Sequence, residues 1–500
     1  MKNSFAQRRS VPHKNRAVLH TFNMKQLTGM LVNDKEEIKK LLPAEDILTF
    51  DFLSAGGVSF CCIYADPITD KELLSEQVLK PLRAYTGKTN CDDVALAVPS
   101  PEQRKTKDFS EIVSEILNGN PVLIWEGCDE SIIIGTKKVF PRAVSEPPTN
   151  VTIKGPREGF IEDLKINTSL VRRRLKSENL RMDVVEVGRL SRTMVAVCYL
   201  ENTSVDDVVK TVKEKLSQID IDFVPDSSYL ATYLAERPYS LTKQVGTCEK
   251  PDIFCAKIAE GRVGLIVDGS PIALTVPYLL VEDFQASEDY FVPSYRATFT
   301  RFLRLFALLV AIYLPAFYIA AQLYKLQLFP VRLLLTIAGS IRNIPLTPSL
   351  EMLLVLLVLE VLNEASIRMP KYVGMALSVV GALVLGETAV NAGFVSTPAI
   401  IIIAFSGIGL YTVPNLIEET SVLRLAMLLV AGSVGTYGII LLTAFLILYL
   451  ATTESFSRPI LSPVAPMRGR DLRDTLIKYN LKSLKKRPRS IGSKNKTRLS

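Results

Sequence analysis

The fold class this chain predicts is an α/β cytoplasmic N-terminal region of two subdomains, followed by an all-α polytopic transmembrane domain and a basic C-terminal tail. Three observations predict it: charged and apolar residues mix up to about Tyr295, the sequence from Phe302 to Leu450 is almost continuously apolar, and the end is strongly basic. The apolar block is several times longer than one membrane span of about 20 residues, and 500 residues exceed what one hydrophobic core organises. The expected parts are a flexible basic arm at 1–42, α/β subdomains at 43–146 and 151–292, a transmembrane domain at 300–452 and a cytoplasmic tail at 453–500.

Charge is unevenly placed. The net charge is +8, yet residues 467–500 hold twelve Lys/Arg against two Asp/Glu, which leaves the rest slightly acidic. A basic cluster just beyond a membrane helix follows the positive-inside rule, whereas nucleic-acid recognition spreads cations over a folded surface, so no nucleic-acid partner is expected. The seven cysteines form no CxxC, and His13 and His20 sit together in a polar arm. Neither a zinc site nor a disulfide framework is expected, nor any other metal or cofactor. Basic Met1 to Lys14 is followed by no apolar run, so no secretory signal is expected and the soluble part is placed on the cytoplasmic face.

The first subdomain reads as strands at 47–52 and 58–64 around Ala55-Gly56-Gly57, then a charged helix from Asp70 to Leu82. A polar loop near Pro99 to Lys107 precedes a helix from Phe109 to Leu117 and a hairpin of Pro121 to Glu126 with Ser131 to Val139. The run 146–150 (EPPTN) reads as a linker. The second subdomain predicts helices at Phe160 to Leu175, Val205 to Gln218 and Pro251 to Glu260. Its strands are Met182 to Val187, Thr193 to Tyr199, Val263 to Val267 and Ile272 to Val276, the last two joined by the turn residues Asp268-Gly269-Ser270-Pro271. Strands alternating with helices of this length imply sheets covered by helices.

In the apolar block, Phe302 to Tyr324 is long enough to span, with Arg301 and Arg304 as anchors at its start and Pro315 as a kink. Leu326 to Leu346 is interrupted by Arg332, Arg342, Pro330 and Pro345, which suits an interfacial or protein-buried segment. Leu350 to Leu362 is short, Tyr372 to Val390 carries glycines and Glu387, and Thr397 to Val413 and Val422 to Leu450 read as spans. With both termini cytoplasmic the number of crossings is even, and four are expected.

At residues 155–163 (GPREGFIED), continuing through Asn167 to residues 170–175 (LVRRRL), the chain resembles the signature of the A subunit of GerA-type spore germinant receptors. Glu236-Arg237-Pro238, Val245-Gly246-Thr247, Glu260-Gly261-Arg262-Val263, residues 267–271 (VDGSP) and Ile367-Arg368-Met369-Pro370 extend the resemblance in collinear order. It implies a multi-pass protein of the spore inner membrane. Its implied partners are a permease-like B subunit and a lipoprotein C subunit, and its implied state is a homo-oligomer forming a nutrient-gated cation-release channel. A related A-like protein encoded with the SpoVA channel genes carries much the same motifs and remains an alternative.

Ionisable side chains inside apolar helices cost a few kcal/mol when they face lipid, so they face a bundle interior or water. Glu360 and Glu364, four residues apart, share a helix face, with Glu351 two and a half turns earlier; around a ring of subunits they would favour cations. The competing reading pairs Glu351 and Glu364 with Arg342 and Arg368 at the ends of a short helix. Glu387 is a further pore candidate. Arg172, Arg173 and Arg174 are candidates for subunit contact or anionic headgroup binding, against a solvated or salt-bridged helix face. Residues 155–159 (GPREG) lack the Lys-Ser/Thr of a phosphate-binding loop, Ser270 has no nearby histidine in sequence, and no catalytic constellation emerges, so an enzyme is not expected. A secondary transporter would show inverted repeats, which are not visible. A membrane-anchored signalling scaffold without its own pore remains the alternative to a channel.

Overall fold

The structure, a computed structural model, describes residues 26–87, 89–136, 154–342, 344–369, 381 and 384–498. The expected linker at 146–150, the histidine-bearing start of the arm and most of the Tyr372 to Val390 segment lie outside the described residues. The chain divides into two units: residues 1–141 with 172–180, and residues 142–171 with 181–500.

In the first unit, strands β1 (Ile47–Leu53), β2 (Ser59–Ala65), β3 (Gln103–Thr106), β4 (Val122–Trp125) and β5 (Ser131–Ile134) form one sheet in the order β1-β2-β4-β5-β3. Its four pairings are antiparallel. Because β2 is apolar at consecutive positions, it feeds two cores at once. Cys61 and Ile63 face Ile38 of α1 (Leu31–Leu41) and Ile112 and Ile116 of α4 (Phe109–Asn118). Phe60 and Cys62 face Leu74, Val78 and Leu82 of α2 (71–83) and Val94 of α3 (Cys91–Ala97). Fully burying an aliphatic side chain of this kind contributes about 1.5–3 kcal/mol. Asp108 starts α4 by accepting the Ser110 N–H at 2.9 Å, and Gly119 ends it at φ +96°.

Three expectations change here. Residues 31–41, assigned to the flexible arm, are helical and bury Ile38 and Asp34. The loop before Lys107 contains β3, an edge strand paired only to β5. Cys91 and Cys128 are disulfide-bonded, with Cα atoms 6.5 Å apart. The turn after β4 carries Cys128 to the start of α3, which their separation of 37 residues does not reveal.

The second unit has an analogous sheet, β6-β7-β9-β10-β8, from β6 (Leu180–Val187), β7 (Thr193–Leu200), β8 (Gly246–Cys248), β9 (Val263–Val267) and β10 (Ala273–Val276). Helix α5 (Leu164–Arg174) precedes β6 in the chain. Val195, Val197, Leu265, Val267 and Leu274 pack on Val208, Val212 and Leu216 of α6 (Asp206–Gln218) and on Leu230 and Leu234 of α7 (Ser227–Leu234). Helix α8 (Pro251–Ala259) also packs on β7 and β9, where its Phe254 ring lies so close to Gly264 that a Cβ there would meet it at 2.3 Å.

The helical region begins earlier than expected, with α9 (Ser294–Tyr324) containing Pro315. It continues through α10 (Val331–Ile341), α11 (Pro348–Arg368), α12 (Thr397–Leu410), α13 (Ile417–Val434) and α14 (Thr436–Thr452). Helix α11 is 21 residues, longer than Leu350 to Leu362 implied, starting with Pro348 in its first turn and stopping before Met369-Pro370. The expected uniform segment Val422 to Leu450 is broken at Gly435. Its φ is +71°, and a Cβ there would stand 2.7 Å from the Tyr324 ring, so only glycine fits both the backbone and the space. Among the described residues, α9 is the one helix long and apolar enough to cross a membrane. The pair Thr397–Leu410 and Pro414–Val434, bent by 109°, adds a second if it is one broken span. The described helices thus stop short of the four crossings expected.

Candidate functional site

The second unit holds two clusters of buried charge around its apolar helices. The first lies among the helices themselves. Arg424 of α13 is fully buried; its guanidinium ion-pairs Glu360 of α11 and donates to Ser406 Oγ of α12 at 3.1 Å. Ser406 passes the chain on by donating to the Ala311 carbonyl of α9 at 2.7 Å, so four helices meet in one polar network. Close approach permits it: at Gly409 a Cβ would stand 2.6 Å from the Ala307 carbonyl oxygen. The network is incomplete, because Arg424 Nε is buried without a hydrogen-bond acceptor. A buried cation with one carboxylate and an unmet donor is weakly held compared with a fully bonded one.

The second cluster is a collar at the start of α9. Arg301, fully buried, donates to Asp289 Oδ2 at 3.0 Å, to Asp474 Oδ1 at 3.2 Å and to the Asp474 and Thr475 carbonyls at 2.9 and 2.6 Å. Arg304 grips both oxygens of Asp289 at 2.9 and 3.0 Å. Lys478 donates to the Asp289 and Val292 carbonyls and lies over the Tyr290 ring. Arg301 and Arg304 are therefore ligands of the segment 284–289 and of the tail. Burial raises Asp474 above the ordinary aspartate value, with the Arg301 charge pulling against it. Lys478 is lowered, first by burial and then by Arg301.

The expected site residues separate. Glu360 enters the helix cluster. Glu351 is buried, but its Oε1 accepts the Ser396 N–H at 2.5 Å at the start of α12, a capping role that involves neither Arg342 nor open space. Glu364 is exposed and pairs with Arg368 one turn on, as the end-of-helix reading held. Glu387 is exposed and belongs to neither cluster. In the first unit, fully buried Arg172 clasps Asp46 through Nε at 2.8 Å and Nη2 at 2.6 Å, and donates to the Ser177 and Leu180 carbonyls. That removes Arg172 from headgroup binding or subunit contact; Arg173 and Arg174 are half-buried beside it. Arg424 was missed, although it is the only charged residue between Glu419 and Glu454, and that isolation was the available signal.

The signature residues are structural joints. Asn167 accepts the Ile161 N–H at 2.9 Å, Asp268 accepts the Leu164 N–H at 3.1 Å, and the Gly269 N–H reaches the Glu162 carbonyl at 2.8 Å. Arg237 donates to the Thr452 carbonyl at the end of α14, and Arg262 pairs with buried Glu282. Ser270 donates to Asp226, the cap of α7, and stays in its turn. Among the described residues, no group of three His, Cys, Asp or Glu side chains is placed to hold a metal ion.

The chain resembles proteins of one family over most of its length. Residues 35–490 match the family described as Bacillus/Clostridium GerA spore germination protein. Spore germination protein KA of Bacillus subtilis is 32% identical over 447 residues, covering 88% of this chain and 82% of its own. Spore germination protein B1 of the same organism is 30% identical, covering 93% and 97%. Spore germination protein GerQA of Bacillus cereus is 32% identical, covering 93% and 94%. Among solved structures, the N-terminal domain of the A subunit of the Bacillus megaterium spore germinant receptor GerK3 aligns at 21% identity with a TM-score of 0.40, over 51% of this chain and 98% of that one. This chain belongs to the GerA family of spore germination proteins.

Proposed function

We propose that the chain is the A subunit of a nutrient germinant receptor in the spore inner membrane, with both termini cytoplasmic. Several copies assemble around a cation-release path that opens when nutrient binds the receptor. The partners are a permease-like B subunit and a lipoprotein C subunit. The observation that carries the channel reading is the Glu360–Arg424–Ser406 network, a buried ionic cluster joining four apolar helices and leaving one donor unmet. Ionisable groups at such depth are expensive unless function needs them. An ion pair at a helix junction is also a two-state element: closed with Arg424 on Glu360, open with the carboxylate released toward passing cations. The scaffold reading draws on the collar, which ties tail, soluble domain and α9 together without needing a pore.

Cation flux across membranes holding the native chain with its B and C partners, with and without amino acids or sugars, separates the two. The channel reading expects nutrient-dependent flux that Glu360→Gln reduces while the assembled receptor persists. A nutrient-binding, assembled receptor that passes no cations leaves the scaffold.

A further inference from the structure

The tail folds around a small cavity lined largely by cations. Residues 485–487 run antiparallel to 496–498: Lys486 bridges Thr497, the Arg487 N–H reaches the Lys496 carbonyl at 3.0 Å, and the Arg498 N–H reaches the Lys485 carbonyl at 2.8 Å. Together with the segment 470–474 they enclose about 120 Å³. Six cations line it, Arg470, Arg473, Lys485, Lys486, Arg487 and Arg498, against two carboxylates.

Both carboxylates are already engaged. Asp471 accepts from the Ser490 N–H and Oγ at 2.8 and 2.7 Å, and Asp474 serves Arg301 and Tyr290 in the collar. Two of the cations are fixed by other groups: Arg487 by the Ala259, Asn495 and Thr497 carbonyls, Arg498 by Glu260. Arg470, Arg473, Lys485 and Lys486 make no ion pair among the described residues. Burial first, and then the neighbouring Arg498 charge, pull Arg487 below its ordinary value, with Glu260 acting against them. A hairpin that gathers more cations than it pairs is stabilised by an anion with several acceptor oxygens.

We infer that this tail cavity binds a phosphate-bearing anion, and that the anion is the headgroup of an acidic phospholipid. Asp474 is shared between the cavity lining and the collar at the start of α9, so the cavity lies beside the first apolar helix, where headgroups stand if α9 spans. The lipid source rests on the proposed membrane placement; the anion site does not.

The test uses the full-length chain in an uncharged detergent, titrated with short-chain phosphatidylglycerol, short-chain phosphatidylcholine and inorganic phosphate. Saturable binding of the glycerol lipid is expected, with none of the choline lipid. Lys485→Gln with Lys486→Gln should weaken it roughly tenfold or more, added salt should weaken it further, and Lys485→Arg with Lys486→Arg should restore it. Lys210→Gln, an exposed lysine of α6 that is not among the residues lining the cavity, is the neutral control. Binding of inorganic phosphate alone with the same charge dependence supports the cavity and assigns it a soluble phosphate. Equal affinity for both lipids, binding unchanged in the glutamine variants, or no binding of any probe overturns the inference. An unchanged unfolding midpoint of the glutamine variant separates lost binding from lost folding.

Discussion

The two charge clusters of the second unit use the same side chains to opposite ends. In the collar, Arg301 has four bonds to two carboxylates and two carbonyls, and Asp289 is held by a second guanidinium. Among the helices, Arg424 has one carboxylate and one hydroxyl, and its carboxylate partner is a third exposed. Desolvating a guanidinium costs several kcal/mol in either place, and only abundant, well-aligned bonds offset it. The comparison teaches that burial of charge alone does not mark a moving part. Each guanidinium leaves one buried nitrogen without an acceptor, Nη2 of Arg301 and Nε of Arg424, so it is the number of anionic and carbonyl partners that separates a joint from a switch.

The largest effect should come from the collar. Removing Arg301 leaves Asp289, 2% exposed, with only Arg304 as side-chain partner, and leaves Asp474 of the tail held by Gln285 and Tyr290 alone among the described residues. Arg301→Ala should destabilise the second unit by about 3–5 kcal/mol, seen as a lowered unfolding midpoint and early proteolysis of the tail. A tail that stays protected would show the collar to be incidental.

The helix cluster should cost less and couple more. Arg424→Gln and Glu360→Gln should each lose about 1–3 kcal/mol, and the double variant should recover most of that, because each single change strands a partner. Additive losses in the double-mutant cycle would mean the two residues do not act as a pair.

Two carboxylates should titrate in opposite senses. For Asp226, burial disfavours the ionised form, but hydrogen bonds from Ser270 and the Ser228 N–H outweigh it and lower its pKa below 3.8. The fold favours its charged form, so relative to Asp226→Asn the native chain should lose stability as pH falls below 3.8. Asp474 is raised above 3.8 by burial. Relative to Asp474→Asn the native chain should lose stability as pH rises from 3.8 through that raised value. Denaturant midpoints of both variants across acidic pH check the signs, and parallel curves would refute them. The smallest effect belongs to Glu364→Gln, whose exposed pair with Arg368 should change the midpoint by less than about 0.5 kcal/mol.

Much of the fold was legible because burial wrote it in period. Helices at 109–118 and 206–218 bury apolar positions at helical spacing, strands at 47–53 and 59–65 are rich in β-formers, and all four fall where the sequence places them. What was hidden lacks that signal. Strand β3 reads QRKT because an edge strand pairs on one side only and keeps its middle side chains exposed. Helix α1 is mostly charged and buries little besides Ile38. The break at Gly435 is invisible in hydropathy, since apolar residues run on directly before and after it. The tail read as a run of charge, yet Phe456, Ile460 and Ile491 are buried in it. For the site, four carboxylates looked equivalent in sequence. Only the fold reveals that Glu351 caps, Glu364 pairs locally and Glu360 meets an arginine 64 residues away.

The most direct test of the central claim is the aqueous reactivity of a cysteine at the helix cluster. Cys91 and Cys128 are disulfide-bonded and the other five cysteines are buried, so a chain with Glu360→Cys and Arg424→Gln carries one distinctive thiol, and the same receptor without Glu360→Cys gives the background. Assembled with its B and C partners, it should react with a charged methanethiosulfonate reagent slowly at rest and much faster when nutrient is added, with modification altering cation flux. A thiol whose reactivity nutrient leaves unchanged, in a receptor that still releases cations, would place the path elsewhere and reduce the Glu360–Arg424 pair to a structural contact.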